Sequence, residues 1–281
     1  TRKESSAASD VYKRQVFINI VLYPSEKQKP EEYIKLLSSI MGSRVMIQSG
    51  NSSDRSTLLR TFDKIGEYYH GYFCNAIFLK QNSKTLNVKA NVLEDAEVDP
   101  NKGLEAKDME FWFFPKHHRF VVYKTNLPRI VKFLNGSFIE KLGDKDSFAI
   151  NVEKDKNTID RIINARGVVS VKVSVKYTNN DNCEEWEDLD SDLRNSDTSN
   201  AELVLKSSKT KPIQVLKNKI LKAFLHLSKS NGMAKAEIIN ENGHTEKINT
   251  NEHPKIEVVD INQNPALNLQ NIVENIAQNR D

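Results

Sequence analysis

Cysteine is nearly absent. Cys74 and Cys183 are the only two in 281 residues. They lie too far apart in sequence to suggest a disulfide framework, which fits a reducing compartment and predicts a cytoplasmic location. Glycine and proline are sparse, at ten and eight, and no internal repeat is visible. No run of about 18 apolar residues occurs, so no transmembrane helix and no membrane partner are expected. There is no glycine-rich loop followed by Lys-Ser/Thr, no dinucleotide fingerprint and no serine-nucleophile elbow. No cofactor is therefore expected, and nothing gives a positive reason to read an enzyme. A nuclease would need converging carboxylates and a lysine. Asp99, Glu105 and Lys107 have those side chains, but they fall in a polar, turn-like stretch. His70 and Cys74 are four apart, a ligand spacing suited to a helix, but Gly71 lies between them and no second pair follows. No metal site is expected.

Charge of one sign is also lacking once the first residues are set aside. Residues 5–15 (SSAASDVYKRQ) reverse-translate, base for base, to an adapter used in transposase-based library preparation. Residues 1–4 fit the adapter tail plus an index. Residues 1–15 thus resemble an in-frame adapter translation rather than native protein. This reading predicts that they are disordered or poorly packed. It also predicts that the native sequence enters partway through, near Val16. The stretch carries a net charge of +2, and without it the chain falls from +3 to +1. Bulk charge then offers no argument for a nucleic-acid partner, and local placement must carry one.

What is present is alternation. The run VFINIVLY (16–23) reads as a buried strand, and a helix opens at Pro30 with Tyr33, Leu36, Leu37 and Met41 at helical spacing. A strand at 44–48 and a polar loop at 51–56 follow, and residues 58–80 read as a hairpin. Residues 88–107, charged and turn-rich, read as a loop. Strands at 109–114 and 119–124 flank the turn Pro115-Lys116-His117-His118. Then come a helix at 127–142, a strand at 148–152, a helix at 157–165 and a half-buried strand at 168–177. An acidic stretch at 178–200 holds eight Asp or Glu against one Arg. An amphipathic helix is predicted over 212–229, a hairpin around Asn242-Gly243, a strand at 255–259 and a terminal helix at 267–278. The fold class predicted is α+β: mainly antiparallel sheets with helices packed on one face. Two α+β lobes, 16–145 and 146–262, fit the pattern, with 263–281 as terminal helix and tail.

Two features point to chemistry. The turn places Lys116, His118 and Arg119 beside Trp112, Phe114 and Phe120. This is either a phosphate-contacting, base-stacking edge or a polar turn whose aromatics fill the core. The helix over 212–229 lies in a stretch, 203–236, with eight lysines and no acidic residue. On a helical wheel Ile213, Leu216, Ile220, Phe224 and Leu227 share one arc. Lys219, Lys222, His226 and Lys229 fall opposite. That strip suits a polyanion, or is a solvated face neutralised by the acidic stretch.

The order of these pieces resembles a bacterial family catalogued as a domain of unknown function, number forty-seven forty-seven. The pieces are Ile18-Asn19-Ile20 with Tyr23-Pro24 and the Tyr33 helix, Phe114 to Phe120 (FPKHHRF), and Val152-Glu153-Lys154-Asp155. Later ones are Asn231-Gly232, Asn242-Gly243, Thr250 and His253-Pro254-Lys255. One departure is Tyr177-Thr178-Asn179-Asn180-Asp181, where a Pro-Asn turn would fit the pattern. The resemblance implies a cytosolic bacterial or phage-borne protein and carries no catalytic residues. The family is itself distantly similar to nucleic-acid-binding phage-exclusion and defence proteins. The expectation is a non-enzymatic nucleic-acid-binding protein in phage defence, with Lys116, His118, Arg119, Lys219, Lys222, His226 and Lys229 contacting DNA or RNA. The alternatives are a protein–protein interaction subunit or homo-oligomer, and a nuclease.

Overall fold

A computed structural model describes residues 14–176, 187–196, 198–208, 211–258 and 265–278. The strand run begins β1 (Arg14–Leu22), buried on both faces after its first residue. Its even positions Val16, Ile18 and Ile20 face one core, and Phe17 faces another. That period of two explains why the run is mostly apolar, interrupted by Asn19, rather than alternating.

Eight strands form the larger sheet, antiparallel throughout. β8 (Arg119–Tyr123) lies on one side of β1. Outward from it run β7 (Leu104–Phe114), β4 (Tyr68–Leu79), β3 (Ser53–Ile65) and β2 (Arg44–Ser49). The other edge of β1 is shared by β9 (Phe148–Val152) and β14 (Ile256–Val258), both from sequence beyond residue 145. A separate hairpin, β5 (Lys84–Asn87) and β6 (Val92–Asp95), stands apart. Helices α1 (Pro30–Ser39) and α2 (Leu127–Leu142) cover one face of the sheet, burying Tyr33, Leu37, Phe133 and Phe138 with Phe111, Phe113 and Phe120.

The second sheet has four strands, in the order β11 (Asn200–Lys206), β10 (Gly167–Lys176), β12 (Gly232–Ile239) and β13 (Thr245–Asn249). One face buries Val171, Val173, Ala234 and Ile238 against α3 (Lys156–Ile163) and α5 (Lys219–Asn231). Between β10 and β11 lies α4 (Glu187–Asn195), whose Leu189 and Leu193 join that core. The fold is α+β with mainly antiparallel sheets. Helices gather on one face of each sheet, except that α6 (Pro265–Gln278) covers the opposite face of the larger one. There Leu269, Val273 and Ile276 meet Phe17, Trp112, Phe114 and Val121.

Several boundaries differ from the sequence reading. Arg14 and Gln15, assigned to the tail, begin β1. Gln15 pairs with both Tyr123 and Glu257 and is buried, because flanking strands offer backbone partners to any side chain. Residues 1–13 lie outside the described residues. The expected loop at 51–56 is largely strand, and 88–107 contains β6 and the start of β7, whose first five residues are exposed. Charged residues there decorate a solvated strand end rather than a loop. The hairpin over 58–80 is found and is longer than expected. Gly66 occupies its turn with φ +60°, a region that suits a residue without Cβ.

The predicted helix over 212–229 starts late, at Lys219. Ile213 exchanges two backbone hydrogen bonds with Val168, which holds that segment beside β10. The Asn218 side chain then accepts from the Leu221 N–H at 3.0 Å and caps α5. Of the acidic stretch, 177–186 and 197 lie outside the described residues, and 187–195 is helix.

Candidate functional site

The last turn of α5 is entirely buried: Ser228, Lys229, Ser230 and Asn231 all point into protein. It docks beside β1 and β9, where the larger sheet presents Asn19 rather than an apolar side chain. Asn19 Nδ2 donates to Asn231 Oδ1 at 2.9 Å, and Asn19 Oδ1 accepts from Arg119 Nη1 at 2.8 Å. Arg119 also donates to the His117 carbonyl at 2.6 Å, and its Nε lies 2.8 Å from Glu153 Oε1. Ser230 Oγ donates to the other Glu153 oxygen at 2.5 Å. The side chains of Asn19, Arg119, Glu153, Ser230 and Asn231 are all buried, and the network links both sheets. Next to it, Gly232 lets β12 approach β10. A Cβ there would lie 1.9 Å from the Ser174 carbonyl oxygen.

The backbone continues the junction. Lys154 N–H donates to the Lys229 carbonyl, Asp155 N–H to the His253 carbonyl, and Lys255 N–H to the Glu153 carbonyl. Thr250 Oγ1 accepts from the Ala234 N–H at 2.9 Å. Lys154 itself is 7% exposed. Its amine donates to Asn251 Oδ1 at 2.7 Å. Burial lowers its pKa from 10.5 to about 8, against the pull of Glu153. It lines a cleft of about 750 Å³ between β9 and α2 on one side and β10, β11 and β12 on the other.

The cleft opens beside the uncovered face of the second sheet. Cross-strand register places Val204, Lys172, Lys235 and Asn249 in one row, and Lys206, Ser170, Glu237 and Lys247 in the next. These rows line a shallow depression of about 540 Å³. Lys206, Lys235 and Lys247 are exposed, and Lys172 is partly so. Lys172 pairs with Glu202 at 2.8 Å. Among the described residues, none of the other three lysines makes an ion pair. Lys172 and Lys235 are direct cross-strand partners, and like charges so placed destabilise a sheet. An anion laid across the face would relieve that repulsion.

The residues singled out from sequence scatter. Arg119 is fully buried in the network. His118 is buried, with φ +54°, and stacks on Tyr33 with ring centroids 4.4 Å apart. Lys229 is buried at the end of α5, where the helical wheel placed it on the polar side. The wheel ran through 213–218, where the chain forms only a 3-10 turn at Val215–Lys217 before α5 begins, and Leu216 and Ile220, placed on the apolar arc, are exposed. Lys116 is exposed and ion-paired to Glu67. Lys219 is exposed, while Lys222 and His226 are half-buried. Arg119, His118 and Lys229 are buried while Lys116 and Lys219 are exposed, so the seven do not form one exposed strip. Trp112, Phe114 and Phe120 are core rather than a stacking edge.

His70 lies on strand β4, with Nε2 2.9 Å from Glu110 Oε1. Burial raises the pKa of the Cys74 thiol above its usual value. Glu105 pairs with Arg55, and Asp99 with Lys102. Among the described residues no cluster of three His, Cys, Asp or Glu side chains is placed to hold a metal, and no helix is long and apolar enough to cross a membrane.

Sequence reasoning missed the lysine face. Lys206 and Lys235 stood within the lysine-rich stretch, and Val171-Lys172-Val173 alternates. Register across three strands, which joins them to Lys247, is not written in any one segment. It also missed that the resemblance pieces meet. Asn19, Arg119, Glu153, Lys154, Asn231 and Thr250 come from five separate pieces and converge where the two sheets join.

Fold and site together define an α+β protein of two large antiparallel sheets and a separate hairpin, the large sheets joined through a buried polar network, with one open lysine-bearing sheet face. The chain belongs to the family described as a domain of unknown function, DUF4747, whose model matches residues 15–278. No curated protein matches it.

Proposed function

We propose that this protein binds nucleic acid through the open face of its second sheet. The observation that carries the reading is the register of Lys172, Lys206, Lys235 and Lys247 on one uncovered face, with Lys172 opposite Lys235. Aromatic side chains, which sheet-face readers use to stack bases, do not line this depression. The contacts are therefore to phosphates, and binding is tolerant of sequence and steeply dependent on salt. The phage-defence setting and bacterial cytoplasm implied by the resemblance belong to the same proposal.

The test is a low-salt mobility shift with single- and double-stranded DNA and RNA. The wild type should be retained. Changing Lys172, Lys206, Lys235 and Lys247 to Gln together should abolish the shift, while Lys219→Gln with Lys222→Gln should change it little. Equal binding by the sheet-face variant would defeat the assignment.

A second reading, docking to a protein partner or another copy, rests on the β5–β6 hairpin region, where Leu86, Val88 and Leu93 are 59%, 81% and 70% exposed. Light scattering tests the self-association arm. A monomer at all concentrations, with Leu86→Ser and Leu93→Ser unchanged in behaviour, would count against it.

A further inference from the structure

The cleft between the two sheets holds a buried donor that the fold leaves unused. Asn151 pairs with Asn19 across β9 and β1, and it faces away from the first core, which takes Phe148. It is 9% exposed and lines the cleft. Its Nδ2 has no hydrogen-bond partner among the described residues. A donor buried without an acceptor costs about 1–3 kcal/mol. Three residues on, Lys154 brings an amine into the same cleft, held by a neutral amide oxygen. The adjacent carboxylate, Glu153, is engaged by Arg119 and Ser230. Lys145 and Lys176 also line the cleft, with Asp146 and Glu202 opposing them.

Buried groups that can only donate, in a cleft of about 750 Å³, call for an acceptor-rich, anionic ligand of modest size. A lysine acts toward phosphate as a point charge, and an amide N–H adds direction. We propose that this cleft binds one phosphate group, free or as a monoester, with Lys154 Nζ and Asn151 Nδ2 as its buried donors. Two carboxylates among the lining residues disfavour a polyphosphate. Lys206, Lys235 and Lys247 do not line the cleft, so this site stands or falls separately from nucleic-acid binding.

Calorimetry with inorganic phosphate, adenosine monophosphate and adenosine tests it, beside mass-spectrometric mapping of lysine acetylation. Phosphate and the monophosphate should bind saturably and protect Lys154 from acetylation, whereas adenosine should do neither. Tighter binding of the monophosphate would identify an ester as the source, and equal binding would identify the free ion. Asn151→Leu and Lys154→Met should each weaken binding at least about tenfold, the scale of one charge-assisted hydrogen bond. Lys206→Gln with Lys247→Gln should leave it unchanged. Should Lys154→Met fail to fold, Asn151→Leu and the wild-type protection pattern still decide. No saturable phosphate binding at millimolar concentrations, or adenosine binding as well as its monophosphate, would overturn the proposal.

Discussion

Arg119 Nε and Glu153 Oε1 lie 2.8 Å apart, with 0% and 4% of their side chains exposed. One residue begins β8 and the other follows β9, both in the larger sheet, and Ser230 at the end of α5 donates to the same carboxylate, so the pair anchors the junction with the second sheet. Removing one partner strands a buried charge, at a cost of about 3–5 kcal/mol. Glu153→Gln should therefore destabilise by about that much in urea unfolding. A double change to Arg119→Met and Glu153→Leu should cost less than the sum of the two singles. A loss below about 1 kcal/mol for Glu153→Gln would show that the pair does not hold the junction.

The lysine face makes a prediction of opposite sign for stability and binding. Lys235→Glu replaces a like-charge cross-strand pair with an attractive one. Thermal stability should hold or rise by up to about 1 kcal/mol. Nucleic-acid affinity should fall. A destabilised variant with unchanged affinity would mean that Lys235 serves the fold.

Lys154 predicts a pH effect. Its amine titrates near 8 when folded and near 10.5 when unfolded. Between those values the unfolded chain binds more protons, so stability rises with pH across that window. Below about 8 the amine is charged in both states and the full cost of burying it is felt. Relative to Lys154→Met, the wild type should gain on the order of 3 kcal/mol between pH 8 and 10.5. Comparison with the variant removes the contribution of other lysines and tyrosines. A pH-independent difference would mean that Lys154 is solvated.

The late start and buried end of α5 separate its lysines. Asn218→Ala should cost about 1 kcal/mol through the lost cap. Lys219→Gln should fall within about 0.5 kcal/mol of wild type, as at most surface sites. Lys229→Glu, which reverses a buried charge, should cost about 3 kcal/mol or more. Equal effects at Lys219 and Lys229 in denaturant melts would contradict the placement.

Local pattern made much of the fold legible. The apolar run of β1, the helix at Pro30, the strands flanking Pro115 and the Asn242-Gly243 hairpin all follow from period and turn chemistry. Failures came where tertiary contacts override period. Ile213 looked helical but bridges to Val168, and the charged start of β7 looked like a loop because its strand is solvated. The site was less legible for the same reason. Arg119 and Lys229 look like surface cations until Glu153, Asn19 and the docked end of α5 enclose them. Lys172 and Lys247 acquire meaning only from register.

Phosphate contact by the lysine face is read out by salt-titrated fluorescence anisotropy of a labelled DNA duplex, with wild type and the four-lysine sheet-face variant. If four lysines each meet a phosphate, the wild-type plot of log affinity against log salt should slope about −3 to −4, and each single Lys→Gln change should flatten it by about 1. A wild-type slope near zero, or one untouched by removing the four lysines, would mean that the sheet face does not bind nucleic acid.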